Sequence, residues 1–421
     1  MQDTLFEIEQ PTSVDWTPTV AAAEARLKAF APRAGKAYAG QRNFDFGPED
    51  RSNVSALSPW LRHRVITEEA VLAETLQHHS PAGAEKFIQE VFWRAYFKGW
   101  LEHRPSIWSE YRAALVEQTQ RYEKNAGLAR AYDEAVTGRT GIACFDSWAR
   151  ELVETGYLHN HARMWFASIW IFTLKLPWEL GADFFYRHLM DGDAASNTCS
   201  WRWVGGRHTI GKTYLARASN IEKFSAGRFN PAGQLAPEAP PLTGPDLPQP
   251  VAPDLLPTAE LEGLIAGQKT GLLISEEDCA IDWLPQYIHP EGILGLAAPT
   301  QRSVWELGTH AKAFTASAVE TATRRAGDAL SVSASVSQED DWSTAVVDWA
   351  REAGVDTVLV SRPPIGPARK RLKAAMKTLS ANGVDLIEVA RDYDCLAWPH
   401  AKKGFFGLKK KIPSLLDALG L

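Results

Sequence analysis

The sequence predicts a multidomain α and α/β protein: an all-α unit over residues 1–230 and a doubly wound parallel α/β unit over residues 258–421. Two observations predict this. Before residue 230, apolar residues recur at three- and four-residue spacing; after residue 257, short apolar runs alternate with helical stretches. Between the two patterns, residues 231–257 hold nine prolines in 27 positions. Proline fixes φ and lacks the amide donor, so this segment is neither a core helix nor a central strand but an extended connection.

In chain order, the helical text is AAAEARLKAFAPRAG, TEEAVLAETLQHH, GAEKFIQEVFWRAYFKGWLEH and the long run FDSWARELVETGYLHNHARMWFASIWIFTLK. Helix formers dominate these stretches and strand-like alternation is scarce. Beyond the prolines, GLLIS, EGILGLAAP, LSVSAS, DTVLVS and VDLIEVA read as strands. The stretches HAKAFTASAVETATRRAG, DDWSTAVVDWAREAG and GPARKRLKAAMKTLSANG between them supply right-handed crossovers. No GxGxxG or GxxxxGK[ST] loop follows any of these strands, so a dinucleotide or P-loop site in this half is not supported.

The 51 acids outnumber the 45 Lys and Arg, which argues against a nonspecific basic coat for nucleic acid but leaves room for a local basic groove. Cys144, Cys199, Cys279 and Cys395 lie far apart without a CxxC pair. A disulfide framework and a zinc or iron–sulfur site are not expected, and the reducing cytoplasm is. The first ten residues, MQDTLFEIEQ, lack the basic and apolar regions of a signal peptide. The most apolar stretch, FASIWIFTLKLPWEL, is broken by Lys175 and Pro177 and is too short to span a bilayer. Eleven of the 16 tryptophans precede residue 229, as core fillers or as something more.

Four constellations could carry chemistry. Glu90, Trp93, Arg94 and Phe97 share one helical face, either as a Glu90–Arg94 ion pair beside core aromatics or as a ligand wall. Asn160, Arg163 and Met164 share another, where a buried arginine needs a counter-charge that Asp191 or Asp193 could supply. His159 and His161 bracket Asn160 without metal-ligand company. In DGDAASNTCSWRW, Asp191 and Asp193 stand where a helix would begin, and Asp193, Asn197 and Trp201 follow at four-residue spacing. An acceptor, an amide and an indole along one face suit a flat ligand such as an isoalloxazine, and plain capping is the alternative. Ser55 and Ser58 precede a helix with Pro59 at its start, either a plain cap or an anion site for phosphate.

With these residues assembled, the first half, from about Ala22 to about Phe224, resembles the FAD-binding domain of the DNA photolyase/cryptochrome family. KAYAGQRN looks like the family's Tyr-x-x-x-Arg segment, which implies Tyr38 near the cofactor and Arg42 in its phosphate or DNA environment. SALSPWLR is similar to the Ser-x-Leu-Ser loop, implying Val54, Ser55, Ala56, Leu57 and Ser58 on the FAD phosphates. EVFWR resembles the Glu-x-x-Trp-Arg motif: Glu90 and Trp93 against the lesion, with Phe87 and Arg94 beside the cofactor. TGYLHNHARM implies Asn160 and Arg163 at the flavin, with His161 and Met164 towards the lesion. DGDAASN resembles the Asp-Gly-Asp loop, implying cofactor contacts from Asp191, Gly192 and Asp193, an Asp191–Arg163 pair, and Asn197 beneath flavin N5.

The resemblance further implies Trp201 as the flavin-proximal member of an electron-transfer chain, Trp178 as the next, and Trp203 as a base-stacking wall. Tyr122 and Trp108 are candidates for the outermost member. The second half is similar to the family's Rossmann-like antenna domain through DTVLVSRPPIGPARKRLKAAMKTLSANGVDLIEV and FFGLKKKIP. That domain ordinarily precedes the helical one, so the order here is swapped. No antenna-chromophore residues can be matched, which leaves a second chromophore open.

The function implied is blue-light repair of cyclobutane pyrimidine dimers by electron transfer from reduced FAD, a deoxyribodipyrimidine photo-lyase activity. The alternative is a cryptochrome-like photoreceptor without repair. The partner implied is UV-damaged DNA, bound by a monomer with no membrane association. Arg62, His63, Arg202, Arg207, Lys212 and Arg217 form a candidate phosphate rim, or else a solvated charged surface. Two positions depart from the family pattern: His161 replaces an arginine frequent beside the Asn, and Ala95 stands where an acid is common.

Overall fold

The computed structural model describes residues 14–421. The helical half runs α1 (Val20–Phe30), α2 (Lys36–Gln41), α3 (Ser58–Arg62), α4 (Glu68–His78), α5 (Glu85–Glu102) and α6 (Pro105–Lys124). It continues with α7 (Ala126–Val136), α8 (Ala143–Thr155), α9 (Asn160–Ser168), α10 (Trp178–His188), α11 (Ala194–Val204) and α12 (Ala218–Phe224). Local chemistry sets several of these starts. The Thr67 hydroxyl accepts from the Ala70 amide at 3.2 Å and Glu68 and Glu69 follow in the first turn, which caps α4 and matches its dipole.

The sequence text from Phe145 to Lys175 reads as one long helical run, but the structure divides it. Gly156 adopts φ +68° and ends α8, and a Cβ there would lie 2.6 Å from the Cβ of His310. The chain restarts at α9, where His159 Nδ1 accepts from the His161 amide at 3.1 Å. A π-helical turn, Ile169–Thr173, closes this run ahead of α10.

The second half is a five-stranded, wholly parallel sheet in the order β3-β2-β1-β4-β5. The strands are β1 (Thr270–Ser275), β2 (Gly292–Leu296), β3 (Ser333–Ser337), β4 (Thr357–Ser361) and β5 (Asp385–Val389). Around them lie α13 (Leu261–Ile265), α14 (Thr309–Leu330), α15 (Trp342–Ala353), α16 (Pro367–Ala381), α17 (Asp392–Ala397), α18 (Phe405–Lys409) and α19 (Ile412–Ala418). Central β1 is buried along its whole length, as its unbroken apolar text requires, whereas edge strand β3 is mostly exposed. The fold class is the predicted one: helical domain first, doubly wound α/β domain second.

Residues 231–257 contain no helix or strand, yet they lie along the helical half. The Leu242 amide donates to Gly205 O at 2.9 Å, the Val251 amide to His103 O at 2.9 Å, and Arg207 Nη2 to Pro245 O at 2.6 Å. The two halves also share one apolar core. Trp60 meets Phe314 at 5.9 Å, Phe92 meets Tyr393 at 5.6 Å, and Trp93 stacks on Phe405 at 3.8 Å with an interplanar angle of 12°.

Buried ion pairs cross the same boundary. Arg62 Nη1 and Nη2 donate to the two Glu277 carboxylate oxygens, each at 2.7 Å. Arg64 Nη2 donates to Asp394 at 2.7 Å, and Arg362 Nη2 to Glu102 at 2.7 Å. Such pairs repay their desolvation only when every donor is aimed, so they fix the register of the two halves more than they add net stability.

Candidate cofactor and substrate site

The site is organised by the turn Asp191–Gly192–Asp193 between α10 and α11. Gly192 has no room for a side chain: a Cβ would sit 2.7 Å from Tyr186 O and 3.0 Å from Leu189 O. Its own carbonyl accepts from Arg62 Nε at 2.7 Å. Asp191 is buried and accepts from Arg163 Nη1 and Nη2 at 3.0 and 2.9 Å. Burial raises its carboxyl, but Arg163, the Ser58 hydroxyl and Arg94 outweigh burial and hold it below the usual range.

Asp193 caps α11 by accepting from the Ser196 amide at 2.6 Å. Against the upward effect of burial, Lys98, Arg62 and Arg94 pull its carboxyl down to about 2. Burial in turn lowers the Lys98 ammonium, which lies 3.9 Å from Asp193.

On α5, Glu90 pairs with Arg42 at 2.6 Å, not with Arg94 as the helical spacing allowed. Arg42 follows the last turn of α2, and its long side chain reaches across to α5. Burial pushes the Glu90 carboxyl up, with Arg42 opposing. Tyr38 on α2 packs edge-on against Phe87 at 5.3 Å and against Phe30 at 5.7 Å, and burial raises its phenol.

Arg94 is left with Nε and Nη2 buried and without a partner. An arginine is always charged, and buried guanidinium N–H groups without acceptors are costly. This edge therefore fits an anionic or carbonyl-bearing ligand beside the Asp-Gly-Asp turn. The hydroxyls of Ser196 and Thr198 are likewise buried without partners at the start of α11.

The loop before α3 is held from below: Arg26 donates to Arg51 O, Val54 O and Ser55 O at 2.7, 2.8 and 2.8 Å. Ala56 adopts φ +53°, while Leu57 and Ser58 lead into α3. That helix is only five residues long, so its dipole is small, and Leu57 at its cap position offers no side-chain acceptor. The loop meets the rest of the site through Ser58, which touches Asp191.

On α9, Asn160 is exposed, whereas Met164 is half-buried. His161 is turned towards the helical core: Nδ1 bonds Asn43 O at 2.9 Å and the ring stacks on Trp165 at 4.1 Å. Burial lowers its imidazolium. On α11, Asn197 Nδ2 donates to Ala182 O at 2.8 Å, which fixes the amide against α10.

Trp201 is 2% exposed and meets Trp170 at 6.2 Å and Phe185 at 5.2 Å. Trp178 meets Tyr111 at 5.5 Å, and Tyr111 meets Trp108 at 5.5 Å. Tyr122 meets Tyr132 at 5.3 Å, and Tyr132 meets Trp170 at 5.9 Å. Each candidate for the outermost ring thus belongs to a different aromatic branch. Trp203 stacks on Tyr214 at 5.6 Å.

The predicted rim needs correction. Arg62, His63, Arg202 and Arg207 are buried, the first two by the α/β half, and only Lys212 and Arg217 reach the surface. Arg62 serves Glu277 and Gly192, and His63 Nδ1 bonds Glu276 O at 2.6 Å. Residues that the sequence reading passed over are Arg26, Lys98, Trp170 and Phe405. Trp170 alone left a signal, lying in the aromatic run FASIWIF.

Residues 87–237 match the family described as the FAD binding domain of DNA photolyase. The chain is 32% identical over 224 residues to a deoxyribodipyrimidine photo-lyase of Synechococcus sp., which covers 52% of this chain and 42% of that protein. It is also 32% identical over 228 residues to one from Thermus thermophilus, covering 53% of this chain and 51% of the relative. The chain therefore spans about half the length of the curated relatives it matches. Among solved structures, a bacterial class III photolyase from Agrobacterium tumefaciens is 28% identical, with a TM-score of 0.42 over 51% of this chain and 46% of that one. A Synechocystis cryptochrome is 24% identical, with a TM-score of 0.40 over 49% and 43%. The helical domain that carries this site is thus similar to the FAD-binding domain of the DNA photolyases.

Proposed function

We propose that the protein is a light-driven repair enzyme for cyclobutane pyrimidine dimers in DNA. The observation that carries this reading is Glu90, a carboxyl raised by burial on the same helix face as Trp93 and held by Arg42 at 2.6 Å. FAD, bound in its reduced form and excited by blue light, would supply one electron. The protein's residues have the other tasks. The Arg163–Asp191 pair and the open edge of Arg94 hold and orient the cofactor, and Asp193 keeps α11 capped beneath it. Asn197 presents an amide rather than an acid, so it has no carboxyl proton to give to a flavin held beside it. Trp93, Met164 and Trp203 offer apolar walls to an extruded dimer, whose poor stacking lowers the cost of flipping. In its protonated form Glu90 donates a hydrogen bond to a lesion carbonyl, with Arg42 turning to a phosphate. The names of the curated relatives support the same reading.

A second reading, a blue-light sensor without repair, is favoured by one observation: Phe405 covers one face of Trp93. Anaerobic reduction of the FAD-loaded protein, addition of UV-irradiated oligothymidine and blue illumination separate the two. Repair gives a light-dependent rise in absorbance near the thymine maximum, lost in Glu90→Ala. A flavin that photoreduces without that rise would reject repair of this lesion.

A further inference from the structure

The whole chain carries net charge −6, yet residues 402–411, KKGFFGLKKK, hold five lysines and no acid. Lys402, Lys403, Lys410 and Lys411 are exposed. Among the described residues none of these four forms an ion pair, whereas Lys409 lies 3.1 Å from Glu85. Lys402 and Lys411 both lie near His400, whose imidazolium is lowered first by burial and then by these two cations. At the tip between the lysines stands Phe406, 75% exposed and the most exposed large apolar side chain among the described residues. An exposed aromatic ring set among unpaired lysines combines the stacking platform and the cations that bind a single strand.

The segment is anchored to the helix that carries the candidate lesion residues. Phe405 stacks on Trp93 at 3.8 Å and meets Tyr96 at 5.6 Å. Arg104 Nη2 holds Lys402 O at 2.8 Å, and Gly99 on α5 lets Ala401 and Trp398 approach, since a Cβ there would lie 2.9 Å from each. The basic tip is therefore held, through Phe405, against the helix that carries Trp93. It also provides the exposed cations that the buried arginines of the predicted rim do not.

We propose that residues 402–411 form a DNA-binding surface, with Lys402, Lys403, Lys410 and Lys411 on backbone phosphates and Phe406 stacked on a base beside the lesion. The α/β half thereby supplies part of the DNA interface. The choice of DNA as the partner rests on the repair reading; the basic and aromatic chemistry of the surface does not.

The test uses the full-length, FAD-loaded protein and fluorescence anisotropy with labelled oligothymidine, undamaged and dimer-containing, at several salt concentrations. The variant K402Q/K403Q/K410Q/K411Q is expected to bind both strands about tenfold or more weakly, with a salt dependence shallower by about 0.7 per lysine that contacts phosphate. Phe406→Ala is expected to weaken binding about fivefold or more at an unaltered salt slope, because stacking releases no counterions. Neither set of changes should alter the ratio of affinities for damaged and undamaged strand. Unaltered affinity and slope in the quadruple variant would overturn the proposal. Loss of binding to vesicles of anionic lipid, with DNA affinity retained, would overturn it in favour of a membrane surface. Failure of the repair reading looks different: the wild type would show no preference for the dimer while its lysine dependence persisted. All substituted side chains are exposed, and flavin absorbance and thermal unfolding serve as folding controls.

Discussion

Arg62 and Glu277 make the most consequential contact between the two halves, and its worth can be tested by a double-mutant cycle. The guanidinium is wholly buried, uses Nη1 and Nη2 on Glu277 and Nε on Gly192 O, and leaves none of these donors idle. Glu277→Gln leaves a buried cation facing a neutral amide, and Arg62→Met leaves a buried carboxylate facing a thioether. Breaking a buried pair from one side costs about 3–5 kcal/mol. Arg62→Met carries about 1 kcal/mol more, because Gly192 O also loses its donor. The double variant R62M/E277Q removes both charges together, so only the orphaned carbonyl, the unpaired amide and imperfect packing remain, about 2–4 kcal/mol in all. The coupling should therefore exceed about 3 kcal/mol. Urea unfolding followed by tryptophan fluorescence measures it. A double variant as unstable as the sum of the two single ones would show that the pair does not act as a unit. Bound flavin is a second readout: Arg62→Met releases the Asp-Gly-Asp turn and should lower cofactor retention, which Glu277→Gln should affect less.

Further outcomes follow from the same geometry. Gly192→Ala forces a methyl to within 2.7 Å of Tyr186 O, and such overpacking against backbone costs about 1–3 kcal/mol, read as a lower melting temperature and weaker flavin retention. Burial and then Glu68 raise the Glu69 carboxyl to about 7 from 4.5, so the folded state holds a proton that the unfolded chain releases. Its favourable contribution is present below about pH 4.5 and is lost as pH rises through 7, so Glu69→Gln should gain on the wild type in thermal stability across that window; a pH-independent difference would refute the assignment. Asp193, held at about 2, behaves in the opposite sense, with stability lost as pH falls from 3.8 through 2 and the loss absent in Asp193→Asn. Trp201→Phe should slow light-driven flavin reduction, measured by absorbance under blue light with an external thiol; an unaltered rate would remove Trp201 from the electron path.

What could be read from the sequence divides along a physical line. Local chemistry was legible: period and capping gave α11 its start at Asp193, and proline density marked residues 231–257. The five strands showed as short apolar runs between helical stretches, because β1, β2 and β4 are buried throughout and carry unbroken apolar text. Non-local pairing was not legible. Arg62 and His63 looked like a rim because Glu276 and Glu277, which bury them, lie more than 200 positions away in sequence. Glu90 had two arginines within reach, and only the approach of α2 to α5 decides for Arg42 over Arg94. Gly156 stood inside text that reads as one helical run; its φ of +68° ends α8, and the reason no side chain fits there, the nearness of His310, belongs to the other half.

The proline-rich connection has a consequence for the integrity of the molecule. Between Phe224 and Thr258 the chain carries no helix or strand, while the halves it joins share a core and several fully buried ion pairs. The covalent link is then the least of the forces between them. A protease that nicks the exposed turn at Ala232–Gln234 would produce two fragments that co-migrate on a sizing column and separate only in denaturant. The same two pieces, expressed from separate reading frames, could meet and complement each other, since their recognition is written in Arg62, Arg64 and Arg362 rather than in the peptide bonds between them.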